Sequence, residues 1–230
     1  MIGVLGGTVF LKKEGFEFER ERKVKTPYGQ VLVKFANNFA FIQRHGSQRL
    51  PPHKTNHWAN IYAFKKLGIK EIIGINSTGS LKKSIKPGSL AVPHDFMQFF
   101  PKTFFNDRIV HIIPKLSEDL RGRIINACKK LKIPVVKRAV YFQTIGPRLE
   151  TIAEVRFLAK FADIVGMTLA DEATLAAEQE LSYASICTVD NYAHGIAKSL
   201  SYEEIVNNAA KNVNKIKRII MKVAKHDDIY

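Results

Sequence analysis

The chain reads as an α/β fold, a mixed sheet covered by helices. Three observations predict it. Short β-branched runs alternate with segments of helical spacing. Small and polar residues gather where those runs stop. At 230 residues and 46% hydrophobic content, the chain is long enough for one well-buried domain and short for two.

In chain order, residues 2–5 form a short apolar strand that stops at Gly6-Gly7-Thr8. Residues 30–35 and 39–43 read as a hairpin about Asn37-Asn38, and 54–67 has the spacing of a helix. A β-branched strand over 71–75 is expected to end at Asn76-Ser77-Thr78-Gly79-Ser80, and Pro87-Gly88 turns into a strand over 89–93. Residues 117–131 form an amphipathic helix capped by Ser117; a strand follows over 135–144 and a helix over 151–161 after Gly146-Pro147. A strand over 162–167, a helix over 171–180, a strand over 183–189 and one long helix over 202–224 complete the alternation.

Composition excludes several classes. There is no uninterrupted apolar stretch of membrane-spanning length, and Met1-Ile2-Gly3-Val4-Leu5 lacks the basic lead-in of a secretory leader, so a cytoplasmic protein with no membrane partner is expected. Cys128 and Cys187 lie in apolar segments without metal-ligand spacing and are expected to be buried thiols, with neither disulfide nor zinc. The net charge of +15 invites a polyanion partner. Against that, the lysines come in pairs along the whole chain and do not alternate with aromatics on one strand, so a basic RNA-binding module is the distant alternative and no specific nucleic acid is expected.

Open α/β sheets bind ligands at strand ends, and four such ends carry polar chemistry. Gly6-Gly7-Thr8 offers backbone N–H groups and a hydroxyl, and Arg44-His45-Gly46 a forked cation beside a second donor. Asn76-Ser77 begins another small-residue loop, and Met167-Thr168 sets a hydroxyl ahead of a helix. Together they suit a small anion. No P-loop or dinucleotide glycine fingerprint is present. Two further residues, Glu150 and Asn191, suit the edge of a 6-oxopurine, because a carboxylate accepts from ring N1–H and a carboxamide both donates and accepts.

Taken in order, these segments resemble the trimeric purine nucleoside phosphorylases, in the branch with methylthioadenosine and methylthioinosine phosphorylases. The matching stretches are Gly6-Gly7-Thr8, Arg44-His45-Gly46, Pro51-Pro52-His53, Gly79-Ser80-Leu81, Thr103-Phe104-Phe105, Gly146-Pro147-Arg148-Leu149-Glu150-Thr151 and Val165-Gly166-Met167-Thr168 with Glu172. The resemblance covers about residues 1 to 195 and implies a single domain over 1–230 whose mixed sheet is a partly closed barrel flanked by helices. It assigns phosphate to Thr8, Arg44, His45, the Asn76-Ser77 backbone and Thr168, the ribose to Met167, and the base to Leu149, Glu150, Asn191 and Ala193. His111 resembles a residue that reaches into a neighbouring subunit's site. The implied assembly is a homotrimer or hexamer. The implied partners are a purine nucleoside and inorganic phosphate as co-substrate, with no metal or organic cofactor.

Adenine-specific relatives carry Asp at the positions of Asn191 and Ala193 and Ser at that of Glu150, so the pattern favours 6-oxopurine nucleosides: methylthioinosine, inosine or guanosine. A shift of one residue would bring Asp190 to the base and restore S-methyl-5'-thioadenosine as the substrate. Asn191 would stabilise charge at N7 and Glu150 would orient the base.

Overall fold

The computed structural model describes residues 1–11, 16–197 and 202–225. Ten strands are present among them: β1 (Ile2–Gly6), β2 (Arg20–Thr26), β3 (Gly29–Ala36), β4 (Phe39–Gln43), β5 (Glu71–Ser80), β6 (Leu90–Ala91), β7 (Asp95–Met97), β8 (Val140–Gln143), β9 (Ile164–Gly166) and β10 (Ser182–Tyr192). The helices are α1 (His57–Lys66), α2 (Glu118–Lys130), α3 (Ile152–Leu158), α4 (Leu169–Glu178), α5 (Tyr202–Lys211) and α6 (Val213–Ala224).

The sheet runs β2-β3-β4-β1-β5-β9-β8-β7, and β10 lies along β5 on its other edge and also pairs β6. Strands β4, β1, β5 and β10 are parallel to their neighbours in this set, so their carboxyl ends lie at one rim. Because β6 and β7 belong to one stretch of chain, the pairings β5–β10, β10–β6, β7–β8, β8–β9 and β9–β5 return to their start. That half of the sheet curls into the expected partial barrel, while β2, β3 and β4 extend from it as an open wing.

Alternation along the strands separates two layers. Leu5, Ile72, Tyr183, Cys187 and Val189 face α1 and α4, packing with Ile61, Phe64, Leu169 and Leu175. Ile2, Val4, Ile73, Ile75, Ala184 and Ile186 face α2 and α6, against Ile124, Ile216, Ile219 and Ile220. Each fully buried aliphatic side chain contributes roughly 1.5–3 kcal/mol over its exposed state, so this two-faced packing holds the strand ends rigidly. Cys128 and Cys187 are buried free thiols.

Several boundaries differ from the sequence expectation. Strand β2 was not expected, because of its seven residues only Val24 is buried and the rest read as a charged run. Strand β5 does not stop at Ile75; it continues through Asn76–Ser80, held by β10 along its length and by β9 at Gly79 and Ser80. The expected strand over 135–144 is an isolated bridge at Val136 followed by β8, and β7 was not foreseen. The single long terminal helix is two, divided at the fully buried Asn212, whose amide donates to Gly88 O at 3.4 Å.

Candidate active site

At the shared rim, Gly7 and Thr8 follow β1, Arg44 and His45 follow β4, and Asn76 and Ser77 lie in β5. Thr8–Phe10 forms a 3₁₀ turn anchored by buried Val9 and Phe10, with Phe10 edge-on to Phe41 at 5.7 Å. Bulky residues after Gly-Gly-Thr thus tie this turn to the core.

Arg44 is buried, and four of its N–H groups are engaged. Its Nε and Nη2 grip the two carboxylate oxygens of Glu172, the second at 2.9 Å. Nη1 donates to Ile75 O at 2.7 Å and Nη2 to Leu5 O at 3.2 Å. The fork that the sequence suggested would face an anion is therefore turned onto Glu172, leaving one N–H of Nη1 beneath Gly7. Burial alone would raise the Glu172 carboxyl, but the Arg44 charge beside it holds it well below the usual range. Glu172 also accepts from Tyr183 OH at 2.6 Å and lies 3.5 Å from His57 Nδ1. It is the hub of this buried cluster.

Close approach explains Gly7. A methyl built on it would fall 2.5 Å from the Ile75 carbonyl oxygen and closer still to Arg44 Nη1. Backbone cannot yield there as a flexible side chain would. Gly7→Ala is expected to displace Arg44 and cost about 1–3 kcal/mol, read as a lowered Tm; an unchanged Tm would mean that the turn is free to move.

His45 donates Nδ1–H to Leu50 O at 2.7 Å, which leaves Nε2 as an acceptor. Burial, and after it the Arg44 charge, pushes its pKa down to about 4, so the ring is neutral at physiological pH. Asn76 is fully buried; its Nδ2 donates to Thr168 Oγ1 at 2.9 Å, and Ser185 Oγ donates to its Oδ1 at 2.7 Å. The amides that open α4 are already taken. Tyr141 OH receives Thr168 N at 3.2 Å and Leu169 N at 3.4 Å, while Gln143 Oε1 receives Ala170 N and Asp171 N at 2.7 and 3.2 Å. Thr168 therefore contributes a hydroxyl, not a helix end.

Glu150 is buried and accepts from Thr144 Oγ1 at 2.7 Å. It borders a cavity of about 510 Å³ walled by Phe99, Phe100, Phe142, Phe157 and Leu158. Met167 lies over Gly146, where a methyl would fall 2.5 Å from its sulfur; with φ at +71°, glycine suits that position on two counts. Leu149 is 59% exposed. Ala193 is buried with Phe142, Leu158 and Val165. His111 is exposed on the irregular stretch between β7 and α2 and does not line the cavity beside Glu150.

A bulge governs the other base residue. Val189 pairs with Thr78 and Asn191 with Gly79, so Asp190 is the extra residue and both polar side chains fall on the face of Ser77 and Gly79. Asn191 is partly buried, its Nδ2 bonded to Tyr192 O at 2.8 Å and 3.4 Å from a Cβ built on Gly79. Asp190 is fully buried and accepts the Ser77 hydroxyl through Oδ2, with no hydrogen-bond partner for Oδ1 among the described residues.

Burial, against the Ser77 and Thr188 hydroxyls, raises Asp190 from an ordinary 3.8 to about 7. The unfolded chain loses this proton near the lower value and the folded protein near the higher. Between them the folded state holds the extra proton, so stability falls as pH rises, by up to about 1.4 kcal/mol per pH unit. Asp190→Asn should gain stability over the parent progressively from about pH 4 to about pH 7 and hold a constant gain above it. Parallel Tm profiles of the two proteins would refute this.

Glu172, Tyr141, Gln143, Tyr183 and Ser185 were given no role from sequence. Tyr141 and Gln143 at alternate positions of β8, and Tyr183 and Ser185 at alternate positions of β10, each place two polar groups on one strand face, which is the one local signal they carry.

The partly closed mixed sheet flanked by helices, with Thr8 and Arg44 just beyond two parallel strands and Asn76 bonded to Thr168 beside them, is an α/β fold of the nucleoside phosphorylase kind. The chain belongs to the phosphorylase superfamily, whose family model matches residues 2–225. It is 44% identical over 233 residues to a probable 6-oxopurine nucleoside phosphorylase of Archaeoglobus fulgidus, covering 98% of this chain and 96% of that one. It is 38% identical over 230 residues to a probable S-methyl-5'-thioinosine phosphorylase of Methanocaldococcus jannaschii, covering 96% and 90%. A Schistosoma mansoni adenosine/methylthioadenosine phosphorylase variant, crystallised with methylthioadenosine, superposes with a TM-score of 0.89 at 25% identity, over 100% of this chain and 92% of that one.

Proposed function

We propose that the protein cleaves the N-glycosidic bond of 6-oxopurine nucleosides with inorganic phosphate, releasing the base and a ribose or methylthioribose 1-phosphate. The observation that carries this reading is the buried Glu150 carboxylate, which borders an apolar cavity wide enough for a heterocycle, with the Asn191 carboxamide partly buried beside Gly79 of β5. A carboxylate accepts N1–H of hypoxanthine or guanine, whereas the 6-amino edge of adenine offers no N1–H; leaving such a buried polar group unpaired costs about 1–3 kcal/mol. The A. fulgidus and M. jannaschii relatives, named for 6-oxopurine and methylthioinosine substrates, support the same choice.

In this mechanism phosphate is held by the free N–H of Arg44, the hydroxyls of Thr8 and Thr168 and the backbone at Asn76-Ser77. One phosphate oxygen forms a bond to C1′ as the C1′–N9 bond breaks and its electron pair passes into the purine. Asn191 stabilises the charge or proton at N7, the proton coming from solvent, and Glu150 keeps the ring in register. Met167 lies against the ribose. No metal or organic cofactor takes part.

We also read the protein as a homotrimer, or a hexamer of paired trimers. Support comes from Phe99, Phe100, Ile109 and Ile113, which are 62, 74, 86 and 92% exposed on one stretch of chain that also carries His111. Light scattering that gives a monomer mass would overturn that part.

The testing experiment is base release from inosine, methylthioinosine and methylthioadenosine, each with and without inorganic phosphate. Phosphate-dependent hypoxanthine release is the expected result. Adenine release in its place would transfer the assignment to the methylthioadenosine reading, which the S. mansoni likeness keeps in view. Release independent of phosphate would refute phosphorolysis.

A further inference from the structure

We propose that Asn76 and Ser185 are positioning residues that aim the Thr168 hydroxyl proton at bound phosphate; this rests on the phosphorolysis reading above. The argument is one of hydrogen-bond direction. Asn76 Oδ1 accepts from Ser185 Oγ at 2.7 Å and lies 3.4 Å from Tyr183 OH, while Nδ2 donates to Thr168 Oγ1 at 2.9 Å and sits 3.5 Å from Glu172 Oε2. Turning the amide over would set its oxygen against the Glu172 carboxylate, so the neighbours fix its orientation.

The chain extends one member further back. Ser185 spends its single proton on Asn76, so the Cys187 thiol, 3.4 Å away, is the donor of that contact. Burial pushes Cys187 up to about 12, so its proton is retained. Direction therefore runs Cys187, Ser185, Asn76, Thr168, each member donating to the next, with all four side chains buried. Such chains polarise their members in one sense.

Thr168 stands at the open end. Its oxygen already accepts from Asn76, so its own proton must point elsewhere. The first amides of α4 are satisfied by Tyr141 and Gln143, and the Thr168 hydroxyl makes no capping bond. Its O–H is left to donate at the strand rim, where an anionic oxygen is the acceptor it suits. Asn76 thus serves phosphate through Thr168, with no side-chain contact of its own.

Asn76→Asp is nearly the same shape and reverses the polarity, because a carboxylate accepts the Thr168 proton instead of donating to it. The experiment measures affinity for inorganic phosphate by calorimetry, and KM and kcat with inosine, for the parent, Asn76→Asp, Thr168→Val, the double variant and Ser185→Ala. Asn76→Asp and Thr168→Val should each weaken phosphate binding about tenfold or more while KM for inosine changes about twofold or less, as loss of one hydrogen bond to a charged ligand implies. The double variant should be no worse than the weaker single, since both act through one hydroxyl. Ser185→Ala, the milder change, should weaken phosphate by about threefold.

Multiplicative losses in the double variant would show that the carboxylate introduced at position 76 acts by charge repulsion alone, and would overturn the proposal, as would unchanged phosphate affinity in Asn76→Asp. The outcomes also separate the two layers of argument. Phosphate-dependent base release by the parent with no effect of Asn76→Asp removes the hydroxyl chain only. The predicted affinity pattern without base release removes the phosphorylase reading only. A parent that does not bind phosphate removes both.

Discussion

Arg44→Ala is expected to lower Tm by about 10 °C, a larger effect than any other single change at the rim. The physical reason is the partner left behind. Glu172 is fully buried and its charge is stabilised chiefly by the Arg44 fork. Removing one partner of such a pair costs roughly 3–5 kcal/mol, because the other remains as an uncompensated charge. For a chain of this size each kcal/mol corresponds to about 2–4 °C. Replacing both partners is a different perturbation: Arg44→Met with Glu172→Gln leaves no buried charge and keeps an acceptor for Tyr183. That double variant should recover at least half of the loss. If its loss instead equals the sum of the two singles, the ion pair is not what couples them. The catalytic consequence is separable from the stability one. At a temperature where Arg44→Ala is folded, its KM for phosphate should rise much more than its KM for nucleoside. Equal rises would remove Arg44 from the phosphate site.

How much of this was legible in the sequence depends on how local each signal is. Helices that carry their own start signals were readable: Ser117 accepts Leu120 N at 3.3 Å, and Thr151 with Glu154 forms a reciprocal capping box. Strand β2 was hidden because an edge strand with one buried residue has no alternation to read. The polar run Asn76–Ser80 looked like a loop because local composition says so; β10 and β9, far away in sequence, make it a strand. The break at Asn212 is likewise tertiary, since the amphipathic period continues on both sides and only its approach to Gly88 marks the place.

The candidate site divides along the same line. Strand-end motifs marked Thr8, Arg44 and Thr168, which lie just after β1, just after β4 and at the start of α4, whereas Asn76 lies inside β5 and takes its partners Thr168 and Ser185 from far along the chain. The role of Glu172 was invisible, because it sits in an apolar helix and its partner is 128 residues distant. Arg44 was read as a cation open to an anion, when most of its donors are spent on Glu172 and two carbonyl groups. A bidentate fork says what an arginine can hold, and only the fold says which carboxylate or phosphate is there. The bulge at Asp190 is a third instance: an ungapped count singled out Asn191, but the one-residue slip that sets Asp190 against Ser77 and Asn191 beside Gly79 is a property of pairing between β5 and β10.

Substrate choice should be reversible at two positions. Asn191→Asp with Glu150→Ser is expected to move preference from inosine-type toward adenosine-type substrates by at least about a hundredfold in the ratio of kcat/KM, since two buried polar mismatches of about 1–3 kcal/mol each are exchanged. On the proposed assignment Glu150→Ser removes the acceptor for N1–H and, with it, the carboxylate that Thr144 now partners. A serine hydroxyl leaves room for an ordered water and carries no charge against the unprotonated N1 of adenine. Asn191→Asp replaces a group that cannot give up a proton at neutral pH with one that can, which suits a leaving adenine whose N7 needs protonation. The carboxyl introduced at position 191 would lie next to Asp190, whose own carboxyl is already raised by burial, and two carboxyls side by side favour holding one proton between them. The activity gained on adenosine-type substrates should therefore decline above neutral pH, and Asp190→Asn added to the pair should move that decline downward. Unchanged inosine activity in the Asn191/Glu150 double variant would refute the base-site assignment altogether, because no arrangement in which those two residues face the purine leaves it indifferent to both changes.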